Sequence, residues 1–141
     1  MVLAIDPGLT TGWALFDDAG RLVSCGLGDP PSVPLDTLRV LIECPRLRPR
    51  EKNPQDILKL AVKAGEWGGI YRPRSEYLTP NDWKGSTPKD TSHARIHAAL
   101  TTHEQGIVDR AGKGKAKSKL HNMLDAIGIG LHGVGRNANG R

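Results

Sequence analysis

The chain lacks the features that mark membrane-spanning or disulfide-rich secreted proteins. Among its 141 residues, no apolar run approaches the ~20 residues that a membrane span requires. Its two cysteines, Cys25 and Cys44, are too few for a disulfide framework and have no metal-ligand spacing. The apolar start Val2–Ile5 is too short for a signal peptide and has no basic flank. We therefore expect a cytoplasmic protein without a membrane partner.

Positive charge is in excess and is unevenly distributed. The chain has 20 Lys and Arg against 15 Asp and Glu, a net charge of +5. Residues 46–52 and 110–119 together carry +8, which leaves −3 for the rest of the chain. Such concentrated cationic segments favour a polyanion partner, most simply nucleic acid. The predicted phosphate-contacting residues are Arg46, Arg48, Arg50, Lys52, Lys113, Lys115, Lys117 and Lys119.

Apolar periodicity and turn residues predict an α/β domain around a mixed sheet. Strands are expected over 2–6, 12–16, 21–26, 39–44 and 76–78, the first three as an antiparallel meander. Helices are expected over 54–68, with Leu58 among the core residues, then from 91 or 92 through 107, and again from Leu120. Residues 111–119 have no large apolar side chain and are expected to be mobile without a partner. A single domain should span 1–141, with a flexible tail from about residue 133.

Three acids, Asp6, Glu43 and Asp125, interrupt or end apolar segments, where an unpaired carboxylate is costly. Singly, each has an ordinary explanation: a turn cap, a strand-edge residue or a solvent-facing side chain. If strands 2–6 and 39–44 are parallel neighbours, Asp6 and Glu43 lie at the same edge of the sheet. Asn122 and His121 share a helix face with Asp125. Together these groups would form an oxygen-rich site suited to two Mg²⁺ or Mn²⁺ ions, as in phosphodiester hydrolysis.

The motifs around these acids resemble the RuvC-type Holliday junction resolvases of the ribonuclease H-like superfamily. The similar segments are Leu3–Ala14 (LAIDPGLTTGWA), Leu41–Glu43 (LIE) and Asn122–Ile127 (NMLDAI), in the same order along the chain. The resemblance implies a ribonuclease H-like fold, with a mixed five-stranded sheet flanked by helices. It also implies a homodimer that makes paired symmetric nicks in four-way or branched DNA. The compact size suits a bacteriophage-encoded relative, acting in an infected host.

The same resemblance assigns roles to residues of this chain. Asp6, Glu43 and Asp125 would bind the metal ions. The fourth ligand, three residues before the last acid, is usually Asp or His, but here it is Asn122. Either Asn122 binds weakly or His121 substitutes for it. Lysines in the middle of the family's sequence are matched by Lys84, a further DNA contact, and by Lys89, which would hold the scissile phosphate.

The chain departs from the family at a second place, and it leaves two alternative functions open. The loop after Glu43 has no aromatic residue to unstack bases, so phosphate clamping by arginines is expected there. Of the tryptophans, Trp83 is the candidate for stacking on a base, and no histidine site is expected at His93, His97 and His103. A nuclease acting on structured RNA and a noncatalytic junction-binding module stay open. Resemblance of the first loop to nucleotide-binding ATPases is opposed by the chain's length, so no nucleotide cofactor is expected.

Overall fold

A computed structural model describes residues 1–34, 38–47 and 49–136. The predicted meander is confirmed as β1 (Val2–Asp6), β2 (Gly12–Phe16) and β3 (Leu22–Leu27). The strand β4 (Arg39–Glu43) and the strand β5 (Ser75–Leu78) pair parallel to their neighbours. The sheet order is β3-β2-β1-β4-β5, so β1 and β4 are the parallel neighbours that the prediction required.

Five helices lie within the described residues: α1 (Pro54–Ile70), α2 (Pro80–Trp83), α3 (Lys89–Ala99), α4 (Thr102–Gly112) and α5 (Lys117–Gly133). None of them is long and apolar enough to cross a bilayer. The helix α1 extends the predicted one by two residues and begins, as predicted, at Pro54.

The single helix predicted through residue 107 is two helices, α3 and α4. Thr101 starts the second helix because its side chain accepts a hydrogen bond from the Glu104 amide, while Glu104 accepts one from the Thr101 amide. This capping box ends the helical run although the apolar spacing continues across it.

Parts of 111–119 and of the predicted tail are helical or make side-chain contacts, and the mobility of both segments stays a prediction. Residues 111–112 end α4 and residues 117–119 begin α5, so only 113–116 connect two helices. Of the predicted tail, Gly133 ends α5, and Arg136 pairs with Glu104 through both of its terminal nitrogens. Residues 137–141 lie outside the described part of the chain.

Strand alternation gives the sheet two apolar faces, each covered by helices. Leu3 and Ile5 of β1, with Val40 and Ile42 of β4, pack in the cluster that contains Ala64 and Trp67 of α1. The alternate residues Ala4 and Leu41 pack in the other cluster, with α5. Asp6 follows Ala4 by two positions, and Glu43 follows Leu41 by two. Both acids therefore belong to the face on which α5 lies.

The helix α5 lies close to β2 because Gly12 has no side chain. A Cβ on Gly12 would stand 2.1 Å from the backbone oxygen of Asn122. Gly128 of α5 faces side chains instead, since a Cβ there would meet Trp83 and would stand 2.7 Å from Ile96. Small residues thus allow α5 to reach the end of β1 where Asp6 lies.

Candidate active site

The three acids predicted from the sequence line one cleft of ≈ 590 Å³. Asp6 ends β1, Glu43 ends β4, and Asp125 projects from α5. Asp6 and Asp125 are buried, at 8% and 6% exposure, whereas Glu43 is partly exposed. Three cationic residues line the same cleft: Lys84, Lys89 and Lys119. Among the described residues, the three acids of the cleft are therefore matched by three lysines.

Burial and repulsion from neighbouring carboxylates raise the pKa values of Asp6 and Glu43. Burial is the main cause that raises the pKa of Asp6 well above its ordinary value, and the negative charges of Glu43 and Asp125 raise it further. Burial likewise raises the pKa of Glu43, against the opposing effect of Lys84. Carboxylates brought together at this cost are typical of functional sites.

Two of the acids, Glu43 and Asp125, are held by neighbouring side chains. The Trp83 Nε1–H donates to Glu43 Oε2 at 2.6 Å. His93 Nε2 lies 2.8 Å from Asp125 Oδ1, and the ammonium groups of Lys84 and Lys89 lie 4.0 and 3.8 Å from Asp125 Oδ2. Asp125 therefore has its hydrogen-bonding histidine on one oxygen and both lysines near the other.

Asn122 and His121 occupy different surroundings, although they are adjacent in sequence. Asn122 lines the cleft, and its Nδ2 donates to the Thr10 carbonyl oxygen at 2.6 Å. This bond leaves the amide oxygen available as an acceptor. The His121 ring instead packs at 5.1 Å from the ring of His93, and His121 is not among the residues that line the cleft.

The predicted phosphate contacts divide into three groups. Lys84, Lys89 and Lys119 lie in the acidic cleft, and Arg46 lines a second groove of ≈ 600 Å³ with Leu47 and Thr79. The side chains of Arg50, Lys52, Lys113, Lys115 and Lys117 are exposed and outside both grooves. Arg48 lies outside the described residues.

The expectation for Trp83 is wrong, and His93 has a carboxylate partner that its spacing did not indicate. Trp83 is 2% exposed and cannot stack on a base; it is buried beside Gly128 and donates to Glu43. His93 does face a carboxylate, that of Asp125, although the two residues are 32 positions apart. The sequence contained one usable signal, because His93 follows Lys89 by four residues and so shares its helix face.

The donor chemistry of the cleft fits a hard divalent cation. Carboxylate and amide oxygens are the ligands that Mg²⁺ and Mn²⁺ prefer, and positive charge would relieve the repulsion that raises the pKa of Asp6. Within the described ranges, however, no group of three or more His, Cys, Asp and Glu side chains is arranged so that it could hold a metal ion. The cleft thus collects the acids without forming a complete set of metal ligands.

No protein-family description matches the chain, and no curated protein matches it by sequence. A structure of Thermus thermophilus RuvC aligns over 94% of this chain and 93% of its own, at 16% identity and a TM-score of 0.50. The chain has the fold of RuvC. A second structure, T. thermophilus RuvC in complex with Holliday junction substrate, aligns over 94% of this chain and 92% of its own, at 16% identity and a TM-score of 0.46.

The likeness to RuvC confirms the predicted ribonuclease H-like class with its mixed five-stranded sheet. In this RuvC fold, the first strand and its parallel neighbour place two of the acids, and the last helix supplies the third. Three separate elements of the fold, β1, β4 and α5, therefore supply the acids of the cleft.

Proposed function

We propose that the chain is a metal-dependent endonuclease that resolves four-way or branched DNA junctions by paired symmetric nicks, acting as a homodimer. The observation that carries the proposal is the convergence of Asp6, Glu43 and Asp125 in one cleft of a RuvC fold. The burial of two of these acids supports it further, because burying carboxylates close enough to repel each other costs stability.

The residues that would hold the metal are Asp6, Glu43, Asp125 and, through its amide oxygen, Asn122. Its place in the cleft favours Asn122 over His121 as the fourth ligand. Two bound Mg²⁺ or Mn²⁺ ions would supply an activated water and stabilise the charge on the leaving oxygen. A neutral amide at the fourth position gives this chain one negative charge fewer than a carboxylate would.

The surrounding side chains prepare the cleft for a phosphodiester. Lys89 is half exposed beside Asp125, so its ammonium group can contact a phosphate that enters the cleft. Lys84 lies deeper, over the Trp83 ring, and lowers the electrostatic cost of keeping Asp6 and Glu43 charged. Trp83 and His93 fix the carboxylates of Glu43 and Asp125 by hydrogen bonds.

Cationic residues beyond the cleft extend the positive surface along the DNA. Arg46 in the neighbouring groove and the exposed Lys113, Lys115 and Lys117 would contact phosphates, which position a duplex without reading its sequence. Lys119 connects this group with the cleft, because it belongs to the same basic segment and lines the cleft itself.

The decisive experiment compares wild type with Asp6→Asn and Asp125→Asn on a labelled four-way junction in Mg²⁺. Both variants should bind the junction and neither should nick it. Asp90→Asn, an exposed acid on α3 outside the cleft, is the matched control and should cleave like wild type. Junction cleavage that persists in both cleft variants would exclude the proposed site.

The same assay separates the competing functions. Wild-type binding without cleavage under every metal tested would identify a noncatalytic junction-binding module. Linear duplex, single-stranded DNA and structured RNA in parallel reactions rank the substrates. Faster cleavage of structured RNA than of the junction would assign this chain to the nucleases that process structured RNA.

A further inference from the structure

Leu9 is an apolar side chain that the fold leaves fully exposed beside the acids of the cleft. Of the large hydrophobic residues that the structure describes, it is the most exposed. It follows Asp6 by three residues and lines the same cleft. Leu58 of α1, predicted as a core residue, is a surface residue too, but it does not line the cleft. Leu9 is therefore an exposed apolar residue at the place where a substrate would bind.

The loop that carries Leu9 is braced on both sides of it by one residue of α5. Before Leu9, Gly8 packs so closely against the Asn122 side chain that an added Cβ would overlap it. After Leu9, the Thr10 carbonyl oxygen accepts a hydrogen bond from Asn122 Nδ2 at 2.6 Å. Because these contacts fix the backbone of the loop, Leu9 stays at the cleft and cannot withdraw into the core.

Two kinds of side chain surround the acids of the cleft. The lysines lie on α3, on α5 and in the connection before α3, and their charge suits an anionic phosphate. Apolar residues come from the loops after β1 and β4 and from α1: Pro7, Leu9, Pro45 and Leu60. The cleft therefore offers cationic contacts and apolar contacts to the same bound molecule.

A DNA strand has groups that match both kinds of contact. Each phosphate carries a sugar on either side, so a phosphate held at the acids and lysines brings a sugar into the cleft with it. In DNA the C2′ position of that sugar has only hydrogens, whereas in RNA it has a hydroxyl group. Bases find less to bind, because no aromatic side chain lines the cleft among the described residues and leucine has no flat ring for stacking.

We propose that Leu9 packs against the deoxyribose beside the scissile phosphate and thereby selects DNA over RNA. This assignment rests on the proposed function, since the sugar belongs to the strand that the cleft would cleave. A ribose would press its 2′-hydroxyl against the leucine side chain, where the hydroxyl loses water and gains no hydrogen bond from leucine. Deoxyribose presents only carbon and hydrogen there, and covering Leu9 removes apolar surface from water.

One four-way junction in three forms tests the contact, with deoxyribose, ribose or 2′-fluoro-deoxyribose at the nucleotides around the crossover. Wild type in Mg²⁺ should nick the ribose form roughly 10- to 100-fold more slowly than the deoxyribose form, the range in which an apolar site rejects an added hydroxyl. The fluoro form should be nicked like the deoxyribose form, because fluorine gives a ribose-like sugar pucker without the hydroxyl. Equal nicking of the ribose and deoxyribose forms, or a fluoro form as slow as the ribose form, would overturn the proposal.

Variants of Leu9 show whether this side chain causes the discrimination. Leu9→Ser should nick the ribose and deoxyribose forms equally, because it replaces the apolar contact by a hydroxyl and admits water. Leu9→Val stays apolar and should keep the wild-type preference. Val23→Ser, at an exposed valine of β3 outside the cleft, is the matched control and should keep it as well. Since Leu9 is fully exposed, its variants should melt like wild type, and a Leu9→Ser variant with the full wild-type preference would show that Leu9 does not select the sugar.

Binding and cleavage are measured separately, so the two proposals can fail separately. Fluorescence anisotropy in Mg²⁺ gives the affinities of Asp6→Asn, with and without Leu9→Ser, for the deoxyribose and ribose forms. If wild type never nicks, but Asp6→Asn binds the deoxyribose form more tightly and Leu9→Ser abolishes that preference, the nuclease function is lost and the Leu9 contact is retained. If wild type nicks the junction and neither assay distinguishes the two sugars, the nuclease function is retained and the Leu9 contact is lost.

Discussion

His93 Nε2 lies 2.8 Å from Asp125 Oδ1, and this contact joins α3 to the acid that α5 contributes to the cleft. An ionised carboxylate can only accept, so the His93 Nε2–H donates in the charged site. The same Asp125 side chain has two lysines near its other oxygen. Its orientation is therefore set by residues of α3 and of the segment that precedes it.

Replacement of His93 by alanine should lower junction nicking and Mn²⁺ affinity by roughly 10- to 100-fold, the usual effect of losing a residue that orients a metal ligand. His93→Gln should recover part of both quantities, because its amide N–H can donate to Asp125. Nicking rates and calorimetric titration with Mn²⁺ measure the two effects. His97→Ala, an exposed histidine on the same helix, is the control. Equal Mn²⁺ affinity in His93→Ala and His97→Ala would show that His93 does not position Asp125.

Gly12→Ala should lower the free energy of unfolding by about 1–3 kcal/mol, the common cost of overpacking. Its Cβ would overlap the backbone oxygen of Asn122, which cannot move without shifting α5. Nicking should fall as well, because Asn122 and Asp125 move with that helix. Gly106→Ala on α4 is the comparison, since its nearest neighbour at 3.4 Å is the end of the flexible Arg110 side chain. Urea denaturation measures the free energy of unfolding of both variants. An equal loss in Gly12→Ala and Gly106→Ala would show that the close backbone approach at Gly12 does not require glycine.

Substitution of Lys113, Lys115, Lys117 and Lys119 by glutamine should weaken junction binding and flatten its salt dependence. Each lysine that contacts a phosphate contributes about 0.9 to the slope of log affinity against log salt. The slope is measured by fluorescence anisotropy over a range of salt concentrations. Arg21→Gln with Arg72→Gln, two exposed cations outside the cleft, should leave the slope unchanged. An equal slope in the four-lysine variant would remove this segment from the DNA-contacting surface.

Glu104 should make the free energy of unfolding decrease at acid pH. Its hydrogen bonds with Arg136 are the main cause that lowers its pKa to about 2, from an ordinary value of 4.5. A lowered folded-state pKa contributes stability above the unfolded value of 4.5, and this contribution is lost as the pH falls toward 2. Glu104→Gln should cost about 3 kcal/mol at neutral pH and reduce the loss of stability between pH 4.5 and 2. Thermal melts over that pH range test this prediction. If Glu104→Gln loses as much stability between pH 4.5 and 2 as wild type, Glu104 is not the source of the acid sensitivity.

Much of the candidate cleft follows from local sequence patterns. The alternation of β1 and β4 directs Asp6 and Glu43 to one face, and the apolar character of 39–44 predicted a central strand. The parallel pairing of the two strands was a condition of the predicted site, and the structure meets it. Asp125 and Asn122 share that cleft because they lie one turn apart on α5. Strand and helix periods are short-range properties, so they are readable in a single sequence.

The break at Thr101 was missed although its signal is local. Thr101 and Glu104 have the spacing of a capping box, but the apolar residues from Ile96 to Ile107 continue the helical period across it. The sequence contains two conflicting signals there. Packing of α4 against β3, fixed by the Glu104 bond to the Leu22 amide, favours the break.

Only the tertiary structure decided which side chains support the acids. Trp83 reaches Glu43 across 40 residues and His93 reaches Asp125 across 32, and no periodic pattern links such distant positions. The outward position of Leu58 was equally hidden, because an apolar residue on a helix predicts burial, whereas Leu58 is 54% exposed in the folded chain. Sequence alone determined the strands, their alternation and the acids at their ends, since these depend on neighbouring residues. Packing between α1, α3, α5 and the sheet determined what surrounds those acids, because it depends on contacts between distant segments.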